Sequence, residues 1–467
     1  MFKWLSQIDM PISRESLSVG GWIICGLALT SSVAVLAWPI PRHEGLQMWI
    51  FAKVHAELYK DTADKWNETH TPKIDISLLS NEAMQQRMLA AFLSGTPSAD
   101  LIEVERNWVP QVFTGPLEDV GFVDLTDRLK EEGLYDTINE PSFAPWSTRG
   151  RIFGLPHDVH PMMLAYRYDV FEAAGIDLTK VETWDEFARV VRPLVRDRSG
   201  DGKTDYIISM WAQSGFRDQI EALLLQAGGS LFDETGKMQI NTEVNARVLA
   251  TLASWMVGPD RIAVDAPEFD PAGNQMRQDG RVLVTIMPDW LGGVWKTDIP
   301  RLSGKVKLMP LPAWEPDGRR TSIWGGSMVG ITKTATDHEA AWEVAKHLYL
   351  SEELARDLFK ANGIISPIKS FWGLDFYDEP DPYFSNQPVG RMYINLAPDI
   401  PLRTSSPFNT EAKDRAANAL FRLKEYALES GKHTPEELMD QARLELEKAE
   451  AIVKRQVDQN VFLRSDQ

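Results

Sequence analysis

Apolar and polar positions along this chain alternate between two periods. "LQMWIF" (46–51) is a short apolar run, and a helical pattern follows it through Trp66. "KIDISLLS" (73–80) alternates like a strand, "EAMQQRMLAAFLSG" (82–95) is helical and stops at Gly95, and "ADLIEVE" (99–105) reads as another strand. A period of two marks a half-buried strand and a period near 3.6 an amphipathic helix. Their alternation at this spacing predicts α/β units around a mostly parallel sheet.

Helix starts are marked farther on. Thr183 and Glu186 have capping-box spacing ahead of Phe187, Val190, Val191 and Leu194, and Thr336 and Glu339 repeat it ahead of Ala341, Val344 and Leu348. Thr434-Pro435-Glu436-Glu437 adds proline at the first helical position of a stripe through Leu438, Ala442, Leu446, Ala449 and Val453. Trp184 and Trp342 sit on apolar helix faces and are expected in the core. The Pro- and aromatic-rich stretch 366–410 predicts an ordered loop region, because its aromatics argue against disorder.

The N-terminal pattern differs. No charged side chain occurs from Ser16 to Pro41. About 20 apolar residues cross a bilayer core as a helix. Residues 1–15 are therefore expected to be a short cytoplasmic leader and 16–41 an uncleaved anchor. The body would then lie at the periplasmic or extracellular face of the cytoplasmic membrane. The competing expectation is a cleaved signal sequence with Val35 and Ala37 as the small-residue site, leaving a soluble periplasmic body. Cys25 is the only cysteine, so the chain holds no internal disulfide.

Length and charge narrow the function. At 467 residues the chain exceeds what one core usually supports, so two lobes are expected. A formal net charge of −18, with no Lys/Arg block, excludes an electrostatic nucleic-acid binder. No nucleotide-cradling glycine loop or Ser-His-Asp arrangement is present, so no enzyme is expected.

"GLPHDVHPMMLAYRYDVFEAAGIDLTKVETWDEFARVVRPL" (154–194) resembles the signature of the bacterial extracellular solute-binding proteins, family 1, the maltose-binding-protein-like receptors of sugar ABC transporters. Three later stretches fit in order: 223–255 with "AGGSLF", 276–295 with "DGRVLVTIMPDWLGGVW", and 324–372 with "WGGSMVGITK" and "EAAWEVAKHL". The resemblance implies an α/β, two-lobed periplasmic-binding-protein (Venus-flytrap) fold of type II character, here with an N-terminal transmembrane helix. It implies hinge closure around a solute, behaviour for which periplasmic binding proteins are the standing example. The expected lobes are 42–157 plus 285–332 and 158–284 plus 333–460. Crossings between them are expected at 154–164, near Arg281–Thr285 and near Gly330–Thr334. The implied partners are a mono- or oligosaccharide and the permease subunits of an ABC importer. A membrane-tethered sensing ectodomain acting through a signalling partner is the alternative.

Sugars present apolar C–H faces and hydroxyl rims, so aromatic plates beside carboxylates are the side chains to seek. Candidates that follow strands or motif turns are Trp108, Trp211, Trp290 and Trp324 among the 16 tryptophans, and Glu103, Glu105, Asp158 and Asp289 among the acids, with Asp158 and Asp289 favoured. Gly325 and Gly326 would admit a close backbone approach, and Phe408 is the aromatic of "RTSSPFN" (403–409). His157 and His160 are open to metal, ligand or packing roles. "DRSGDGKTD" (197–205) places Asp197, Ser199, Asp201 and Asp205 at alternate positions, like half a calcium loop, or else a hydrogen-bonded Asx/Gly turn. No cofactor is expected beyond that structural calcium.

Overall fold

The computed structural model describes residues 18–37, 45–198, 200–210, 217–233, 235–404 and 406–460. Residues 1–44 form a unit of their own, whose described element is helix Val19–Ala37. Among the described residues no helix is long and apolar enough to cross a membrane. The expected transmembrane anchor, and the membrane attachment and anchored location that rest on it, are thereby overturned.

Among the described residues, the chain from Gly45 contains ten strands in two main sheets. In chain order they are β1 (Leu46–Ile50), β2 (Ile74–Leu78), β3 (Leu101–Glu105), β4 (Leu155–Pro156), β5 (Met162–Arg167), β6 (Ile208–Ser209), β7 (Ala263–Val264), β8 (Val284–Pro288), β9 (Val306–Pro310) and β10 (Ser327–Ile331). The first sheet has the order β2-β1-β3-β10-β4, and the second β9-β5-β8-β6-β7. A small hairpin, 147–148 with 151–152, stands apart.

Each sheet is covered on both faces, which is why the central strands read as near-continuous apolar runs. Along β3, Leu101 enters one core with Met48, Trp342 and Leu348, while Ile102 and Val104 enter the opposite one with Met84, Phe122 and Met328. In the second lobe Leu164, Tyr166 and Ile286 pack under helices Glu243–Met256, Asn409–Ser430 and Pro435–Gln459. Met163, Met287 and Leu308 pack against Leu291, Trp295 and Tyr393 on the other face. The two-lobed α/β expectation matches this architecture.

Lobe membership differs from the expected boundaries in two segments. Strands β8 and β9 stand in the second sheet, while helices His338–Tyr349 and Glu352–Asn362 pack in the first core. Both sheets are equally apolar, so local pattern does not say which one a strand joins. The passages between lobes are therefore 157–161, joining β4 to β5, and 311–326, joining β9 to β10. A third lies at 363–368, where Ile364 and Ile368 enter the first core and Ile365 the second. Gly330–Thr334 and Arg281–Thr285 are not crossings.

Capping follows the sequence closely. Thr183 accepts from the Glu186 amide, and Thr434 with Glu437 forms a complete capping box. At the third start Asp337, one residue after Thr336, takes the Ala340 amide. The last helix leaves the second lobe's helical layer and reaches the first lobe, where Asn460 Nδ2 donates to the Thr114 carbonyl at 2.9 Å.

Candidate functional site

Strand direction fixes where a solute can sit. Strands β1, β2 and β3 are parallel, and β10 starts where β3 ends, with Ser327 opposite Glu105. In the second sheet β6, β7 and β8 are parallel, and Pro288 at the end of β8 lies opposite Met162 at the start of β5. Because β4 leads directly into β5, the carboxyl ends of both parallel sets face the waist between the lobes. Ligands of open α/β sheets bind beyond those ends. The loops there are 51–52, 79–80 and 106–108 in the first lobe, and 265–270 and 289–290 in the second.

The second-lobe side carries an aromatic platform. Trp290 directly follows Asp289, is half-buried, and donates from Nε1 to the Trp324 carbonyl at 2.9 Å. Its ring meets the buried Trp324 ring edge-on at 5.8 Å and lies parallel to Phe269 at 6.0 Å. Phe269 is 56% exposed and holds a left-handed backbone, φ 59°. A large non-glycine residue in that region costs free energy and persists only where its surroundings impose it. Gly325, φ +122°, lies between the two sites: a Cβ there would stand 2.5 Å from His160 Cδ2 and 2.8 Å from Trp290 Nε1.

The first-lobe side carries charge that already reaches across. Arg106 Nη2 lies 2.9 Å from Asp218 Oδ1, and Nη1 donates to Glu221 Oε2 at 3.1 Å. Lys413 Nζ donates to Asp218 at 2.7 Å and also meets Asn107 Oδ1. Asn409 Nδ2 donates to Glu221, and the Thr410 hydroxyl donates to the Asn107 carbonyl. Burial opposes ionisation of Asp218, but Lys413 and Arg106 outweigh it and hold the carboxyl well below its usual range.

The waist itself is ionic. His160 presents Nε2 to Asp158 Oδ2 at 2.9 Å and Nδ1 to Asp289 Oδ1 at 2.6 Å. Asp158 also accepts from the Ser327 amide and faces His157 Nδ1 at 3.2 Å. Asp289 also accepts from the amides of Trp290 and Ile365. Deeper in the first lobe, Glu103 receives the hydroxyls of Tyr59 and Tyr349, each at 2.9 Å, and faces His55 Nδ1 at 3.0 Å. Burial works against the Glu103 charge, yet His55, His157 and Tyr349 keep its carboxyl below the ordinary value.

The residues singled out from sequence fall into distinct places. Asp158, Asp289, Trp290, Trp324, Gly325 and Gly326 gather at the waist. Both acids are buried, with their oxygens already occupied by His160 and main-chain amides. His157 is buried against His55, ring centroids 4.6 Å apart. Trp108 is buried edge-on to Phe51. Glu105 takes the Asn107 amide and side-chain NH2, and burial raises its pKa. Phe408 lines a groove of about 770 Å³ with Phe92, Gln111 and Gln456, outside the waist cluster. Trp211 lies outside the described residues.

The carboxylates of the 197–205 loop are engaged within the turn itself. Asp197 accepts from the amides of Gly200 and Gly202, Asp201 takes the Lys203 amide and pairs with Arg281, and Asp205 accepts from Arg198 N. The turn's own amides and Arg281 thus engage these carboxylates. Among the described residues no group of three His, Cys, Asp or Glu could hold a metal ion. Ser199 lies outside them.

Phe269, Asp218, Glu221 and Lys413 escaped the sequence reading. Nothing in the sequence flags Phe269, because phenylalanine has no preference for a left-handed turn. Asp218 and Glu221 are three apart in helix Arg217–Gln226, a spacing that puts both on one face and was a usable signal.

A family profile described as "bacterial extracellular solute-binding protein" matches residues 52–355. An arabinooligosaccharide-binding protein of Halalkalibacterium halodurans is 25% identical over 411 residues, covering 86% of this chain and 88% of that protein. One of Bacillus subtilis is 24% identical over 410 residues, covering 86% and 91%. Among solved structures, an extracellular solute-binding protein family 1 crystal structure superposes with a TM-score of 0.70 at 21% identity, covering 87% of this chain and 100% of that one. A B. animalis subsp. lactis ABC transporter associated binding protein in complex with beta-1,6-galactobiose gives 0.64 at 17%, covering 88% and 98%. With the profile spanning most of both sheets, this chain belongs to the bacterial extracellular solute-binding proteins.

Proposed function

We propose that this chain is the carbohydrate-binding component of an ABC importer, closing its two lobes on an oligosaccharide and handing it to membrane permease subunits. The observation that carries the reading is the parallel Phe269–Trp290 pair at the carboxyl ends of β7 and β8. Flat aromatic area suits the apolar face of a pyranose or furanose ring. The amides and carboxylates of the 105–107 loop supply hydroxyl partners on the opposite side. A chain of the arabinooligosaccharide class is favoured, since both curated relatives that bear a ligand in their names carry that one. In a binding family, catalysis has no part.

The contact set we propose is Trp290 and Phe269 from the second lobe, Glu105 and Trp108 from the first, and the main chain at Gly325 and Gly326. Isothermal titration of the purified protein with arabinotriose, galactobiose and maltotriose tests this. Binding of arabinotriose that weakens with Phe269→Ala supports it. Absence of heat with all three sugars, together with binding of a polyamine, would overturn it.

A further inference from the structure

All three passages between the lobes meet at one histidine. His160 lies in the first passage, between Val159 and Pro161, with a left-handed φ of 56°. Asp158 is tied to the first sheet through the Ser327 amide, where the second passage ends. Asp289 ends the β8 connection of the second sheet and takes the Ile365 amide from the third passage. An imidazole whose two nitrogens both face carboxylates donates from both, and is an imidazolium.

We infer that His160 is the positioning residue of lobe closure, its ring held between one carboxylate of each lobe so that it fixes the angle at which the cleft shuts. The inference rests on the solute-binding reading for its functional meaning, and on the waist geometry for its substance. Asp158 and Asp289 then serve the hinge and not the sugar. Trp290 follows Asp289 in sequence, and Gly325 packs between His160 and the Trp290 indole. Moving the pivot therefore moves the aromatic platform.

The groups facing this pivot come from several elements. His157 and Asp158 share its passage, and Asp289 stands on the β8 connection. Tyr377 and Tyr393 face Asp289, while Glu103, His55 and Tyr349 lie behind His157. Burial opposes a charge on His160, but Asp158 and Asp289 outweigh it and the imidazole is pushed up to about 10. Burial likewise opposes the Asp158 charge, and His160 with His157 holds that carboxyl well below its range. Within ordinary pH the bridge stays ionic.

Spin labels test this in the full chain carrying Cys25→Ser, Lys130→Cys and Glu425→Cys, both new sites being exposed and one in each lobe. Distances are measured by pulsed dipolar spectroscopy with and without arabinotriose. His160→Gln is expected to broaden the interlobe distance distribution about twofold and to weaken arabinotriose binding about tenfold, a closed population being lost to others. Raising pH toward the His160 value should broaden the parent distribution and leave the variant unchanged. Distributions that superimpose at every pH would overturn the inference. If His160→Gln does not fold, Asp289→Asn is read in the same way, and an unbroadened distribution there overturns it equally. If the distributions differ while neither protein binds arabinotriose, the pivot stands and the sugar reading fails.

Discussion

Phe269 lies parallel to Trp290, their planes 8° apart, with the phenylalanine more than half exposed in a left-handed turn. Exposure means that little core packing depends on it. Phe269→Ala should therefore weaken arabinotriose binding roughly tenfold, the loss of one aromatic plate, with the melting temperature of the empty protein nearly unchanged. Phe269→Gly should weaken binding as much yet stabilise the empty protein by about 1 kcal/mol, because glycine adopts the turn without strain. Calorimetric titration beside thermal melts separates the two effects.

Gly325 allows no side chain. The positive φ and the approach of His160 and Trp290 act together there. Gly325→Ala should destabilise the fold by about 2 kcal/mol or more, read as a lowered urea midpoint with unchanged slope. A variant as stable as the parent would show that the waist has slack.

Charge across the cleft should hold the empty lobes together. Arg106 is 3% exposed at its side chain and sits beside Asp218 and Glu221. Removing one partner of a buried pair strands the others, at a cost of about 3 kcal/mol or more. Arg106→Met is expected to raise the radius of gyration of the ligand-free protein in small-angle scattering. An unchanged curve would mean that these contacts follow closure and do not cause it.

Stability should also fall as pH rises from neutral. The raised His160 value, about 10, lies above the ordinary histidine value of 6.5. A raised pKa gives stability that is complete below the unfolded value and disappears as pH climbs through the folded one. Asp158 acts in the opposite direction: its depressed carboxyl contributes above the ordinary aspartate range, and that contribution is lost in acid. Denaturant titrations from mild acid to alkaline pH should show a decline above neutrality that His160→Gln flattens. A parent protein equally stable at neutral pH and near the His160 value would sink this assignment.

Calcium should do nothing at the 197–205 loop. Its carboxylates cap main-chain amides and meet Arg281. Neither added calcium nor chelator is expected to shift the melting temperature. A rise on adding calcium would reopen the loop as a site.

Much of the architecture was legible because strand and helix periods are local. β1, β2 and β3 fall where alternation and apolar runs indicate them, and Trp184 and Trp342 are buried as their helix faces require. What is non-local was not legible. No periodicity says that β8 pairs antiparallel with β5, so the later lobe boundaries were misplaced. The acids chosen for a sugar, Asp158 and Asp289, did prove to sit together. Their common partner is His160, which is 129 residues from Asp289, and sequence alone gives no cue for such a pairing.

The reach of the last helix has a practical side. Its residues up to Val453 pack in one lobe, while Asn460 is fastened to the Thr114 carbonyl of the other. That makes the segment a tie-rod, and any opening must stretch or release it. A fluorescent reporter spliced in after this residue would thus register each gape of the jaws, without a dye placed anywhere near the sugar.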